Sequence, residues 1–264
     1  MAKKLIQYHG VSNPSPGYVY RVSKAFTSGR FRKDDTTFGD GTYGNLKAVA
    51  AAIALDPEAT VPVVDEDPMY GNVREPILKL MHFMRSLSFK RRSNIRFAQG
   101  LFEDLSFKIG QEPYDPPDQF SFFATDYAPP GMFASTENVS PEAELLSMNA
   151  LVGFTNGIFS FVNYGLANAD GGFSALLSRQ AEYGDYSSSV GFLAYDHGAA
   201  ETASQKVEEL STLLTAGRLS RENKQVLVNA YTHFKHVYGQ NSADGVLLKL
   251  IASSPEFHTS NTCE

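Results

Sequence analysis

Between Phe107 and Phe133 the chain sets aromatic rings and carboxylates into a stretch rich in proline. Tyr114, Phe120, Phe122, Phe123 and Tyr127 are interleaved with Asp115, Asp118 and Asp126 and with Pro113, Pro116, Pro117, Pro129 and Pro130. Proline lacks the N–H that a strand ladder needs, so such a loop stays open. Ring faces then offer stacking platforms, and carboxylates accept hydrogen bonds from hydroxyl groups. That combination suits contact with a carbohydrate or a peptide, with Tyr114, Asp118, Phe120 and Tyr127 as ligand-binding candidates. On the other side stand the absence of tryptophan and the tendency of loop aromatics to plug onto a core.

Other constellations are weaker. His233 and His236, three apart on a helix, have a spacing that presents two imidazoles to one metal. The apolar face set by Leu227, Tyr231 and Phe234 points His236 away from the core and leaves His233 at its edge, without an acid beside them. A solvated face is the expectation, and neither a metal nor a cofactor is expected. His197, in Tyr195-Asp196-His197-Gly198, sits beside a carboxylate as an acid–base residue would, but nothing identifies a nucleophile for it. Gly39-Asp40-Gly41-Thr42-Tyr43-Gly44 has the G-x-G-x-x-G spacing and precedes a helix, with Asp65 downstream. It follows a polar stretch, Arg30 to Thr37, which reads as a loop and not as the first strand of a βαβ unit. Lys90-Arg91-Arg92, followed by Arg96, trails an amphipathic helix, where cations complement the negative end of the dipole as well as they would an anion.

The elements that must position these groups are chiefly helices. Ser15-Pro16 begins one whose inward side is Tyr18, Val19, Val22, Ala25 and Phe26, stopped by Ser28-Gly29. Asn45 begins Leu46 to Leu55, closed by Asp56-Pro57. Arg74-Glu75-Pro76 opens a third, with Ile77, Leu80, Met81, Met84 and Leu87 on one face and Lys79 and Arg85 off it. Ser140-Pro141-Glu142 reads as the start of a helix apolar on nearly every side through Leu166, and its Gly153 and Gly157 leave one face bare for close approach. Three more helices are expected after caps at Ser204, Ser220 and Ser242. They point Val207, Leu210, Leu213 and Leu214, then Leu227, Ala230, Tyr231, Phe234, Val237 and Tyr238, then Val246, Leu247, Leu250 and Ile251 inward. Short connections make them antiparallel neighbours. Strand signals are confined to 60–64 and 187–195. The fold class is mainly α: an irregular multi-helix bundle with long Pro/Gly/aromatic-rich loops, in a single helical domain over 1–264.

Composition bounds the function. Acids exceed bases by 29 to 23 in 264 residues, a net charge of −6, which argues against a dedicated nucleic-acid binder. Hydrophobic residues at 42% argue against disorder. The single cysteine, Cys263, allows no intrachain disulfide and no cysteine-based metal cluster. Met1 to Gly10 opens with two lysines, but its apolar run ends after Leu5-Ile6, so no signal peptide is expected. The most apolar stretch, 150–169, carries Asn156, Asn163 and Asn168 and no basic flanks, so a buried helix is expected and not a membrane span.

In order along the chain, several segments resemble the C-terminal half of the domain-of-unknown-function 1800 family. They are Lys4-Leu5-Ile6 with Asn13-Pro14-Ser15-Pro16, Asn45 to Val49 running to Asp56-Pro57-Glu58, and Arg74-Glu75-Pro76-Ile77 running to Met84-Arg85. Gly110-Gln111 with Pro116-Pro117 and Phe120, Leu213 to Ser220, and Ser254-Pro255-Glu256-Phe257 complete the series. The resemblance implies a largely helical fold without an established activity, in a family whose longer members are often exported. It also implies an N-terminal half carrying a His-x-His-Phe-like motif and an Asn-Glu-Asn motif; neither occurs here. The expectation is a non-catalytic binding or scaffolding domain, partnered by such a segment or by a co-encoded protein. A hydrolase or metal-assisted enzyme acting on extracellular polymers, through His197 with Asp196 or His233 with His236, is the alternative.

Overall fold

The computed structural model describes residues 1–61, 70–92, 102, 104–119, 121–174, 189–195 and 202–260. The described chain is mainly helical. Helices α1 (Ala2–His9), α2 (Pro16–Ser28), α3 (Leu46–Ala54) and the short α4 (Pro57–Thr60) come first, with a hairpin, β1 (Phe31–Lys33) and β2 (Thr36–Phe38), between α2 and α3. Next come α5 (Pro76–Ser86), β3 (Phe89–Arg91), α6 (Leu105–Ile109), α7 (Met132–Ser135) and α8 (Met148–Tyr164). After β4 (Gly191–Leu193), α9 (Ala203–Thr215), α10 (Arg221–Tyr238), α11 (Gln240–Ala252) and α12 (Pro255–His258) close the chain. Among the described residues, no helix is long and apolar enough to cross a membrane.

The helix starts follow the capping residues. Ser15, Asn45 and Ser220 accept hydrogen bonds from the N–H groups of Tyr18, Ala48 and Asn223, as a cap must to satisfy the first turn. Three starts differ from expectation. Pro141–Leu145 is a single 3₁₀ stretch, and α8 begins later, where Ser147 receives the Ala150 N–H. Thr202, not Ser204, caps α9, because Gln205 completes a reciprocal capping box with it. α11 begins at Gln240, directly after Gly239, so Ser242 lies inside the helix. The polar stretch before the glycine motif is also not a loop: Phe31, Arg32 and Lys33 pair antiparallel with Phe38, Thr37 and Thr36. Lys90 and Arg91 lie on β3, paired with Phe192 and Gly191 of β4, so the basic run belongs to a strand and not to a helix end.

Two apolar clusters result. The larger joins Leu80 and Phe83 of α5 and Leu87 just after it with Phe154, Ile158 and Phe161 of α8, Leu210 and Leu214 of α9, Leu247 and Ile251 of α11, and Phe257. The smaller packs Ile6 of α1 against Tyr18 and Val22 of α2 and Val49, Ala52 and Ile53 of α3. In α8 the expected close approach is present: a Cβ on Gly153 would collide with the Lys108 carbonyl of α6, and one on Gly157 with the Phe173 ring. Val237 and Tyr238 of α10 and Leu250 of α11 are exposed, although the periodicity predicts them inward.

Candidate functional site

Of the described candidates in the Phe107–Phe133 region, Asp118 lines a cleft and Tyr114 and Tyr127 do not. Tyr114 stands fully exposed at φ +67°, away from any cleft wall described here. Tyr127 is half-buried, and its backbone N–H and carbonyl are spent on Ala124 and Ser140. Phe120 lies outside the described residues. Asp118 does line a cleft of about 460 Å³, together with Pro117, Ser121, Phe122, Phe123 and Asp126. The other wall is α1, through Lys4 and Tyr8, and Glu144 lines the cleft as well.

Both walls are held in place by buried groups. Ile6 and Gln7 point α1 inward, and the Gln7 side-chain amide donates to Ser12 O at 3.0 Å and to Thr125 O at 3.1 Å. Glu144 Oε2 accepts the Ala124 N–H at 2.7 Å, fixing the turn that carries Phe122 and Phe123. The Tyr8 and Phe123 rings meet at 5.6 Å between centroids, within the range of favourable aromatic pairs. The cleft therefore offers an aromatic floor, half-buried at Tyr8 and Phe122 and buried at Phe123, with three carboxylates and one lysine at its rim. Sequence reasoning missed Lys4 and Tyr8, because they lie more than a hundred residues from the loop they face.

A second concentration of chemistry lies in the larger core. Lys79 of α5 is 1% exposed, against the expectation that it sits off the apolar face. Its Nζ is 2.8 Å from His258 Nδ1 and 4.7 Å from the Phe154 ring centroid. Burial, with the charge of Arg74 nearby, pushes the Lys79 amine down to about 7. Burial and Lys79 itself push His258 down to about 4, although the Ala252 carbonyl 3.0 Å from Nε2 works the other way. A neutral imidazole whose Nε2–H donates to Ala252 O leaves Nδ1 as an acceptor for the lysine. The clue in the sequence was position: Lys79 precedes Phe83 by one helical turn and adjoins Leu80, which places it inside the buried arc.

The remaining candidates are structural or lie elsewhere. His233 and His236 are both exposed on α10, and among the described residues no group of three or more His, Cys, Asp or Glu is arranged to hold a metal ion. Asp196, His197 and Arg96 lie outside the described residues. The glycine motif serves packing. Gly41 N–H donates to Gly29 O and Gly44 N–H to Phe26 O, Asp40 Oδ1 accepts from Thr42 N and Asn45 Nδ2, and a Cβ on Gly39 would collide with the Gly29 carbonyl. Two of the N–H groups that would cradle a phosphate are thus donated within the protein.

A family model described as "Protein of unknown function (DUF1800)" matches residues 1–259. Neither a curated protein nor a solved structure matches the chain.

Proposed function

Since the chain belongs to the DUF1800 family, whose description names no function, its role has to come from its own residues, and we propose that it is a binding domain that takes a carbohydrate in the cleft between α1 and residues 117–126. The observation that supports this most is the pairing of an aromatic floor, Tyr8 with Phe122 and Phe123, with the carboxylates of Asp118, Asp126 and Glu144. Sugar rings present apolar C–H faces that stack on aromatics, and hydroxyl groups that donate to carboxylates. The volume, about 460 Å³, is within the usual range for small-ligand clefts.

Calorimetric titration of a panel of neutral oligosaccharides tests the reading. Binding by the full chain is expected, weakened at least tenfold by Tyr8→Ala and by Phe122→Ala, and unchanged by Tyr114→Ala, whose ring stands outside the cleft. No heat from any oligosaccharide, or a loss on Tyr114→Ala with none on Tyr8→Ala, overturns it.

A further inference from the structure

The charges that line the cleft between α1 and residues 117–126 do not balance. Asp118, Asp126 and Glu144 contribute carboxylates, and Lys4 is the one base among the described residues that line it. Lys4 stands one helical turn before Tyr8 on α1, and among the described residues it enters no ion pair. The Asp126 carboxylate likewise makes no hydrogen bond or ion pair there. Glu144 accepts the Ala124 N–H at 2.7 Å and Asp118 the Ser121 N–H at 3.3 Å. A backbone amide orients a carboxylate without cancelling its charge. Even with Asp118 set aside, two acids face one lysine.

The floor of the cleft favours the same sign of ligand. Tyr8 and Phe123 meet at 5.6 Å between ring centroids, with Phe122 beside them. An aromatic face carries the negative end of the ring quadrupole, so it attracts an ammonium as well as the C–H face of a sugar. A neutral sugar meets the carboxylates with hydroxyl donors alone. A protonated amine meets them with a charge-assisted hydrogen bond, which is shorter and stronger. An acidic sugar is repelled by the same groups. Rings and rim, two separate features of one cleft, select a cation.

We propose that the ligand of this cleft is an amino sugar, a saccharide that carries a protonated amine where a neutral one carries a hydroxyl. The inference rests on the reading of the cleft as a carbohydrate site and adds the charge class of the ligand. Asp126 and Glu144, with Asp118, are the groups that receive the amine, and Tyr8 and Phe122 receive the ring.

A matched pair of probes isolates the charge. A β-1,4-linked glucosamine oligomer and the glucose oligomer of equal length and linkage differ in the amine alone. Both are titrated calorimetrically into the full chain at low salt and about pH 6, with the N-acetylated oligomer and putrescine as controls. Exposed charge pairs contribute modestly each, so the glucosamine oligomer is expected to bind about fivefold or more tightly than the glucose oligomer. Raised salt should shrink that ratio by screening. Asp126→Asn should narrow it and Lys4→Gln widen it; both side chains are exposed, so neither change disturbs the core. Glucose and glucosamine oligomers bound equally would overturn the amino-sugar assignment and leave the carbohydrate reading standing. No binding by any oligomer sinks both. An N-acetylated oligomer or putrescine bound as tightly as the glucosamine oligomer overturns the assignment, as does a ratio that neither substitution moves.

Discussion

Lys79 Nζ and His258 Nδ1 are 2.8 Å apart in the core, and the lysine has no carboxylate in ion-pair reach among the described residues. Folding therefore moves an amine from an ordinary value of 10.5 to about 7. The unfolded chain binds more protons at Lys79 than the folded one between those values, so stability rises with pH across that window. The slope is at most about 1.4 kcal/mol per pH unit from this group. His258, lowered to about 4, acts in the same sense further down, removing stability as pH falls from about 6.5 towards 4. Tyr18, buried with its hydroxyl donating to Ile53 O at 2.6 Å and its pKa raised by burial, works oppositely once free tyrosine ionises near pH 10. Urea unfolding at pH 7.0 and 9.0 is expected to give a higher midpoint at the alkaline pH, and Lys79→Met should flatten that difference. Equal midpoints for the wild type would contradict the buried amine.

The two glycines of α8 bear different neighbours and should differ in cost. A methyl group at Gly153 meets the backbone carbonyl of Lys108, whereas one at Gly157 meets the side chain of Phe173. Backbone yields less readily than a ring, which can shift at a few kcal/mol. Gly153→Ala is expected to destabilise by about 3 kcal/mol or more, and Gly157→Ala by about 1–3 kcal/mol, despite the usual helical advantage of alanine. Chemical denaturation of both variants checks the order; a more stable Gly153→Ala would show that α6 does not pack on α8.

Much of the scaffold was legible because local rules and tertiary packing agree there. Ser15-Pro16, Asn45 and Ser220 announce helices that need those caps, and Gly153 with Gly157 announce a close contact. The failures have physical causes. Ser140-Pro141 and Ser242 have the chemistry of a cap, but the backbone has a 3₁₀ stretch after the first and helix on both sides of the second. Lys79 was placed by residue type, whereas its helical angle buries it beside Leu80 and Phe83. The cleft was half legible: Asp118 and Phe122 belong to the unusual loop, but Lys4 and Tyr8 come from the far end of the chain, and no local spacing connects them. Tyr114 stands apart from the cleft, which no local spacing could show, because an aromatic in a proline-rich loop looks the same in sequence whether it lines a cleft or faces open solvent.

Asp56 is fully buried and serves two elements at once. It receives Arg21 Nε and Nη2 at 2.7 Å each and accepts the Glu58 N–H at the start of α4. Asp56→Ala removes a cap, worth about 1 kcal/mol, and leaves a guanidinium with the Glu58 contact at 2.9 Å and its place over the Tyr18 ring. Breaking a pair in which one partner is buried costs about 3–5 kcal/mol; Arg21 is partly exposed, so a loss of about 2–4 kcal/mol is expected. Thermal unfolding of Asp56→Ala beside Arg21→Ala and the double variant checks it. Additive losses would mean the two residues are not coupled.

Gln7 links the walls of the proposed cleft without lining it. Its amide is buried and donates to Ser12 O and Thr125 O, so Gln7→Leu preserves volume but leaves two carbonyls without their donor. Each unsatisfied carbonyl costs about 1–3 kcal/mol if it stays dry, and movement of the 121–126 turn towards water is the cheaper outcome. The variant is therefore expected to keep its helical circular dichroism, lose about 1–3 kcal/mol of stability, and bind oligosaccharide more weakly with Tyr8 and Phe122 intact. Calorimetry and denaturation on one preparation separate the effects. Weaker binding at unchanged helicity places the recognition surface on the geometry that Gln7 maintains. Unchanged affinity alongside the stability loss shows that the turn does not carry the ligand.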